Sequence, residues 1–465
     1  MRHAIVPVFA LVVAAAASAA GPSLPLTPWP TTPTTALSAP VFVLSGGGYG
    51  HGVGLNQYGA FGQAKANRGY RDILAFYYPG TELGKAPISK VRVLVADGRP
   101  SVTLASPVPF SVRDGSGVVT ALPAGEIKLE PDLEVVIDGT ATALPAPLAF
   151  LPGKGAPLTL DGKGYRGELR ATVVGNALQV IDFVGLDAYL LGVVPGEMPR
   201  EWPAAALQAQ AVAARSYALS SLVKNRPFDL YSDARSQAYY GAASESPATS
   251  AAVKATRGEI LTYGGKVATT FYYSSSGGRT ASSEDVFGVV TPYLQARNDP
   301  WDTLSPYHRW PPRSYTAAAL GRALGLSAPV VDVAVVPTPS GRPASITLVK
   351  KTGAIVSLRA ADVRARLGLR STNFRFGVLR VGRALATTAA GTPVVVSGLA
   401  RDVDAPLLEK LVASGSWLPS VKVVPAEDGS FGVTVRPTAT ATYRLTAEGQ
   451  VGPALTVTVA AGAAR

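Results

Sequence analysis

Residues 203–224 read PAAALQAQAVAARSYALSSLVK, and this stretch decides the fold. Proline takes the first helical position, where its missing N–H costs little, and alanine and leucine dominate the residues after it. Asn225-Arg226-Pro227 stops the run. The spacing predicts one long helix over 203–224 whose alanine-rich surface lets a neighbouring element come close. Upstream, short β-branched runs at 91–96, 102–104, 110–112, 118–122 and 127–129 are separated by Gly, Asp and Pro. Two more, 169–174 and 178–183, meet across Gly175-Asn176 as a hairpin. Further helices are expected at 250–257 and 316–323. Strands and helices come in blocks instead of alternating, which predicts an α+β fold.

The chain has 465 residues, 47% of them hydrophobic, enough for two or three domains with packed cores. Cysteine is absent, so disulfides, thiolate zinc sites and cysteine nucleophiles are excluded. The only histidines are His3, His51 and His308. A formal charge of +12 points to a polyanionic partner.

The ends of the chain carry their own signals. Met1-Arg2-His3, an apolar stretch over 4–16 and Ala17-Ser18-Ala19 form the n-region, h-region and cleavage site of a signal peptide over 1–19. A secreted, extracytoplasmic location is then expected, which turns the anion from nucleic acid to wall polymers or anionic membrane headgroups. Residues 20–40, rich in Pro and Thr, read as an extended linker. Residues 384–465 have equal numbers of basic and acidic residues and alternating runs at 393–397, 421–424, 431–435, 443–447 and 455–459. They read as an accessory all-β, immunoglobulin-like sandwich. The excess positive charge then belongs to 41–383, the expected main domain, which could comprise two lobes.

Three segments collect glycine, proline and polar groups where a plain core would not. The first, GGGYGHGVGLNQYG (46–59), offers His51, Gln57 and Tyr58 on a glycine-rich loop. No βαβ unit comes after it to make it a dinucleotide loop. The second, GVVPGEMPREWP (192–203), holds Glu197 among Val194, Met198 and Trp202. Desolvation there would raise its pKa towards that of a general acid. Capping the helix, or pairing with Arg200 or Arg215, is the alternative that composition leaves open. The third, TFYYSSSGGRT (270–280), places clustered hydroxyls after aromatic rings, a pattern suited to sugars. A serine nucleophile there would need His51 or His308 as base, and no nucleophile-elbow pattern supports it. Two histidines without cysteine make a poor metal centre, and no cofactor is expected.

These segments together resemble the SpoIID/LytB family of peptidoglycan-acting proteins. The likeness rests on YRGELR (165–170), DAYLLGVVPGEMPREWPAAALQAQAVAARSYAL (187–219), VKATRGEILTYGGKVATTFYYSSSGGRTASSEDVFG (253–288) and GYGHGVGLNQYGAFGQA (48–64) with YYPGT (77–81). It covers roughly 41–380. The resemblance implies lytic transglycosylase activity on glycan strands, with Glu197 as catalytic acid. It also implies substrate contacts by Arg215, His51, Gln57, Tyr58, Tyr272, Ser274 and Ser275. Its LytB branch implies a different role, that of a wall-binding enhancer of an N-acetylmuramoyl-L-alanine amidase. Two departures stand out. The GHGVG loop precedes the other motifs here, whereas in the sporulation proteins it comes after them. Tyr231-Ser232-Asp233-Ala234-Arg235-Ser236 replaces the His/Cys segment with which some members bind zinc, so metal binding is not carried over.

Overall fold

In a computed structural model the described residues are 37–137, 139–382 and 387–460. The expected signal peptide and nearly all of the linker lie outside them. The chain is mixed α and β, and it divides into two compact units. The first comprises Gly52–Ser276 and Val290–Ser305; the described part of the second comprises 37–51, Gly277–Val289, 306–382 and 387–460.

The first unit is built on a seven-stranded sheet in the order Leu230–Tyr231, Lys90–Arg99, Ala177–Gly185, Glu168–Val174, Leu148–Leu151, Phe110–Arg113, Val119–Leu122. All neighbours are antiparallel except the first pair. The Gly175-Asn176 hairpin forms as the sequence suggested, with Val174 opposite Ala177. A four-stranded sheet (Lys163–Tyr165, Leu158–Leu160, Val102–Ser106, Gly125–Leu129) contributes to the same core. Alternate residues such as Val102 and Leu104, Phe110 and Val112, and Leu178 and Val180 point into it, the period-2 signature of a strand with one face on the core.

The long helix spans Ala204–Ser220, shorter at its end than the sequence suggested, and Pro203 caps it instead of opening its first turn. Ala209, Ala211, Ala213, Ala214 and Ala218 are all fully buried. A helix buried on nearly every side belongs in the middle of a domain, and alanine is what lets its neighbours close in. The helices at 250–257 and 316–323 are found at Pro247–Ala255 and Ala317–Ala323, capped by Ser246 and Thr316 side chains. Five helices escaped the sequence reading: Gln57–Lys65, Tyr70–Tyr77, Leu186–Glu197, Ser283–Phe287 and Ala360–Leu367.

The second unit has a five-stranded sheet ordered Arg313–Thr316, Val41–Gly46, Phe374–Val381, Val394–Arg401, Ser430–Val435. Phe42 and Leu44 enter a core shared with Val330, Ile346 and Val363, whereas the intervening Val43 enters another shared with Leu408, Tyr443 and Leu445. The sheet is thus a middle layer with an apolar face on each side. A four-stranded sheet (Trp417–Lys422, Leu407–Leu411, Ala441–Ala447, Gln450–Val457) lines the second core. The tail strands expected from alternation are present, and two of them share a sheet with strands from before residue 383.

Candidate functional site

Glu197 is the last residue of the Leu186–Glu197 helix. Its side chain sits at the negative end of the helix dipole, which disfavours a second negative charge. Only 7% of its surface is exposed, and its Oε1 has no hydrogen-bond partner among the described residues. Burial pushes the carboxyl up from 4.5 to about 7, against a smaller downward pull from a hydrogen bond to Tyr272. Three tyrosines, Tyr272, Tyr217 and Tyr189, lie close enough for the Glu197 charge to raise their own pKa values, after burial itself. Two of the alternatives left open by composition do not materialise: the Ala204–Ser220 helix has Pro203 as its N-cap with no side-chain cap hydrogen bond, and Arg215 pairs with Asp187.

The long helix supplies two of the side chains around Glu197 and Gln57. Gln210 and Tyr217 are seven residues apart, two turns along one face. Gln57 Nε2 donates to the Glu197 carbonyl at 3.1 Å and to Gln210 Oε1 at 3.4 Å. Tyr58, next in sequence, meets Trp202 edge-on with ring centroids 5.0 Å apart. The glycine-rich segment is therefore anchored to the glutamate helix through the backbone carbonyl of Glu197.

A short parallel ladder joins the glycine-rich and serine-rich motifs, with Leu55 and Asn56 opposite Tyr272 and Tyr273. Tyr58 N donates to Ser274 O at 3.0 Å. Gly54 has φ +79°, and a Cβ there would lie 2.0 Å from Phe271 O, so only glycine admits the ladder at this distance. The ladder also carries Tyr272 to Glu197.

Ser275 has a different setting. Its Oγ donates to Asp302 at 2.9 and 3.0 Å, and Ser276 N donates to the same carboxylate at 3.1 Å. Asn56 Nδ2 bridges Asp302 (2.8 Å) and Asp299 (2.7 Å), and Tyr77 Oη donates to Asp299 at 3.0 Å. Both aspartates are fully buried. Sequence reasoning missed this network because Asn56 and the two aspartates lie far apart in the chain and share no motif. The Ser275 hydroxyl is committed to a carboxylate, the setting of a structural anchor.

Arg215 is 0% exposed. Its Nε and Nη2 donate to Asp187 at 2.9 and 2.6 Å, and its Nη1 to Glu259 O at 2.8 Å. Arg215 thus locks the start of the glutamate helix to the long helix and to the Glu259–Tyr263 strand. His51 belongs to the second unit, where its ring lies 5.5 Å from that of Phe287. Gln57, Tyr58, Tyr272, Ser274 and Ser275 belong to the first unit with Glu197.

A second acid is raised in the same unit. Asp182, fully buried in the Ala177–Gly185 strand, accepts from Tyr239 Oη at 2.9 Å, and burial pushes it from 3.8 to about 7. The Tyr239 ring in turn lies 4.9 Å from that of Tyr189. No group of three or more metal-ligating side chains occurs among the described residues.

Comparison with known proteins agrees with the motifs. The family described as SpoIID, stage II sporulation protein, matches residues 174–263, a span holding Glu197, Arg215 and the long helix. Stage II sporulation protein D of Bacillus subtilis is 30% identical over 239 residues, covering 47% of this chain and 67% of that protein. The amidase enhancer of Bacillus subtilis is 36% identical over 147 residues, 31% of this chain and 20% of the relative. A protein of Brachyspira hyodysenteriae is 38% identical over 161 residues, 32% of this chain, and the match spans 44% of that protein's length. With two thirds of the sporulation protein matched, and the matched region carrying the buried glutamate, the chain belongs to the SpoIID/LytB family.

Proposed function

We propose that the protein is a lytic transglycosylase that cleaves peptidoglycan glycan strands outside the cytoplasmic membrane. The observation that carries this reading is the desolvated carboxyl of Glu197, which lies within the span that matches the family, has one oxygen without a partner among the described residues and has its pKa pushed up to about 7. Asp182, the other acid raised to about 7, accepts from Tyr239 Oη. A hydrolytic glycosidase ordinarily needs two carboxyl groups flanking the bond. An intramolecular transglycosylation needs one. Protonated Glu197 donates its proton to the oxygen linking MurNAc C1 to GlcNAc, and that bond breaks with its electron pair leaving on the oxygen. The carboxylate then accepts the proton of the MurNAc C6 hydroxyl as its oxygen bonds to C1, giving a 1,6-anhydro end. Glu197 ends reprotonated, and no water is consumed. Tyr272, kept neutral by burial, donates a hydrogen bond that steadies the carboxylate between the two transfers. Of the predicted contacts, Gln57 donates to the Glu197 carbonyl and Tyr58 packs on Trp202, and the overall positive charge suits an anionic wall strand. No helix among the described residues is long and apolar enough to cross a membrane.

Muropeptide mass spectrometry after incubation with glycan strands tests the activity. New 1,6-anhydro ends are expected with the wild type; their absence overturns the assignment. A second reading draws on the similarity to the amidase enhancer: a non-catalytic wall-binding activator of a cell-wall amidase. It predicts binding to sacculi without bond cleavage, together with stimulation of an added amidase.

A further inference from the structure

The Gln57–Lys65 helix is buried on nearly every side, and the three positions that reach solvent are Tyr58, Phe61 and Lys65. They fall at i, i+3 and i+7, a single face. The solvent side of a helix is ordinarily polar or charged. Here it presents two aromatic rings ending in one cation. The Phe61 ring stacks on Trp202 with centroids 4.8 Å apart, and Lys65 Nζ lies 5.7 Å from the Phe61 centroid. Beyond the helix, Arg68 sits 5.7 Å from the ring of Trp301. The strip adjoins the candidate acid: Trp202 is five residues after Glu197, and Gln57 of the same helix holds the Glu197 carbonyl.

We propose that this strip is a saccharide subsite for a carboxylate-bearing pyranose. Phe61 and Trp202, a stacked pair of partly exposed residues, offer apolar ring surface to the C–H face of a pyranose, and Lys65 pairs with the carboxylate that the sugar carries. A neutral pyranose gains only the stacking; an acidic one gains both. The two contributions separate the roles of the residues. The inference rests on the proposed action on glycan strands, and it adds which sugar is held and by which side chains.

The test is equilibrium binding to the full chain carrying Glu197→Gln, so that no bond is cleaved. Soluble muramic-acid-containing glycan strands, with and without peptides, are compared with neutral chitin oligosaccharides of equal length. Phe61→Ala should weaken binding of all three by about tenfold, and Phe61→Tyr should restore it. Lys65→Gln should weaken only the carboxylate-bearing strands, by about three- to tenfold and less at high salt. The peptide-free and peptide-bearing arms distinguish a carboxylate on the sugar from one on an attached peptide. If Phe61→Ala binds as tightly as its parent, or Lys65→Gln weakens chitin equally, the subsite assignment fails. Should the strands bind as described while the wild type releases no anhydro ends, the subsite stands and the transglycosylase reading falls.

Discussion

Two buried carboxyl groups flank the start of the Gln57–Lys65 helix and are treated in opposite ways. Asp302 accepts from Asn56, Ser275 and the Ser276 backbone, so it ties three distant segments together. Glu197 has a hydrogen bond from Tyr272 and one oxygen with no partner among the described residues. A saturated carboxylate is an anchor, because its acceptor positions are taken by the protein. An undersatisfied one keeps a position in reserve for a proton or a ligand, and burial raises its pKa accordingly. The difference separates architecture from chemistry within one unit of the fold.

The largest expected effect falls on Glu197. Glu197→Gln should reduce formation of 1,6-anhydro ends by about 10²–10⁴-fold while leaving the urea unfolding midpoint unchanged or higher. Equal product from the variant would remove the chemical side of the contrast. Asp302→Ala should do the reverse, costing about 2–4 kcal/mol in urea unfolding because Asn56, Ser275 and Ser276 N all lose an acceptor. If it instead abolished product without destabilising the fold, the two carboxyls would have been assigned the wrong way round.

Tyr272→Phe should act more gently, lowering turnover by about tenfold. Its hydrogen bond pulls the Glu197 pKa down, so its removal should shift the alkaline limb of the pH–rate profile upward. In the wild type that limb should fall through about pH 7, as the acid that must donate becomes ionised. A limb that moved downward would contradict the Tyr272 hydrogen bond. The smallest effect concerns Asp182. The folded state holds a proton there up to about pH 7, whereas the unfolded chain releases it near 3.8. Folding stability from this group is therefore highest in acid and declines as pH rises between those values. Asp182→Asn should flatten that decline, with a gain on the order of 1 kcal/mol at pH 8, read as the difference in melting between pH 5 and pH 8.

How much of this could be read from the sequence depended on distance along the chain. Glu197 was legible because its apolar neighbours Val194 and Met198 are local, and local neighbours already imply desolvation. Its helix was not, since Pro195 and two glycines read as a loop while the packing of Val193 and Val194 decides otherwise. The network around Asp302 was invisible: Asn56, Ser275 and Asp302 are brought together only by the fold. Arg215 illustrates the same limit. Its motif placed it near a ligand, but the acid that claims its guanidinium stands on another helix. In the tail, alternation located the strands, yet nothing in the pattern could say that Val394–Arg401 would lie beside Phe374–Val381.

The position of the Val41–Gly46 strand has a kinetic consequence. Both its hydrogen-bonded edges are filled by segments synthesised much later, Arg313–Thr316 and Phe374–Val381. A nascent chain therefore carries an unpaired apolar strand through most of its elongation, while Gly52–Ser276 can already condense around its own hairpins. Closing the middle sheet is a high-contact-order step, and until it happens that early strand is the segment most exposed to wrong partners.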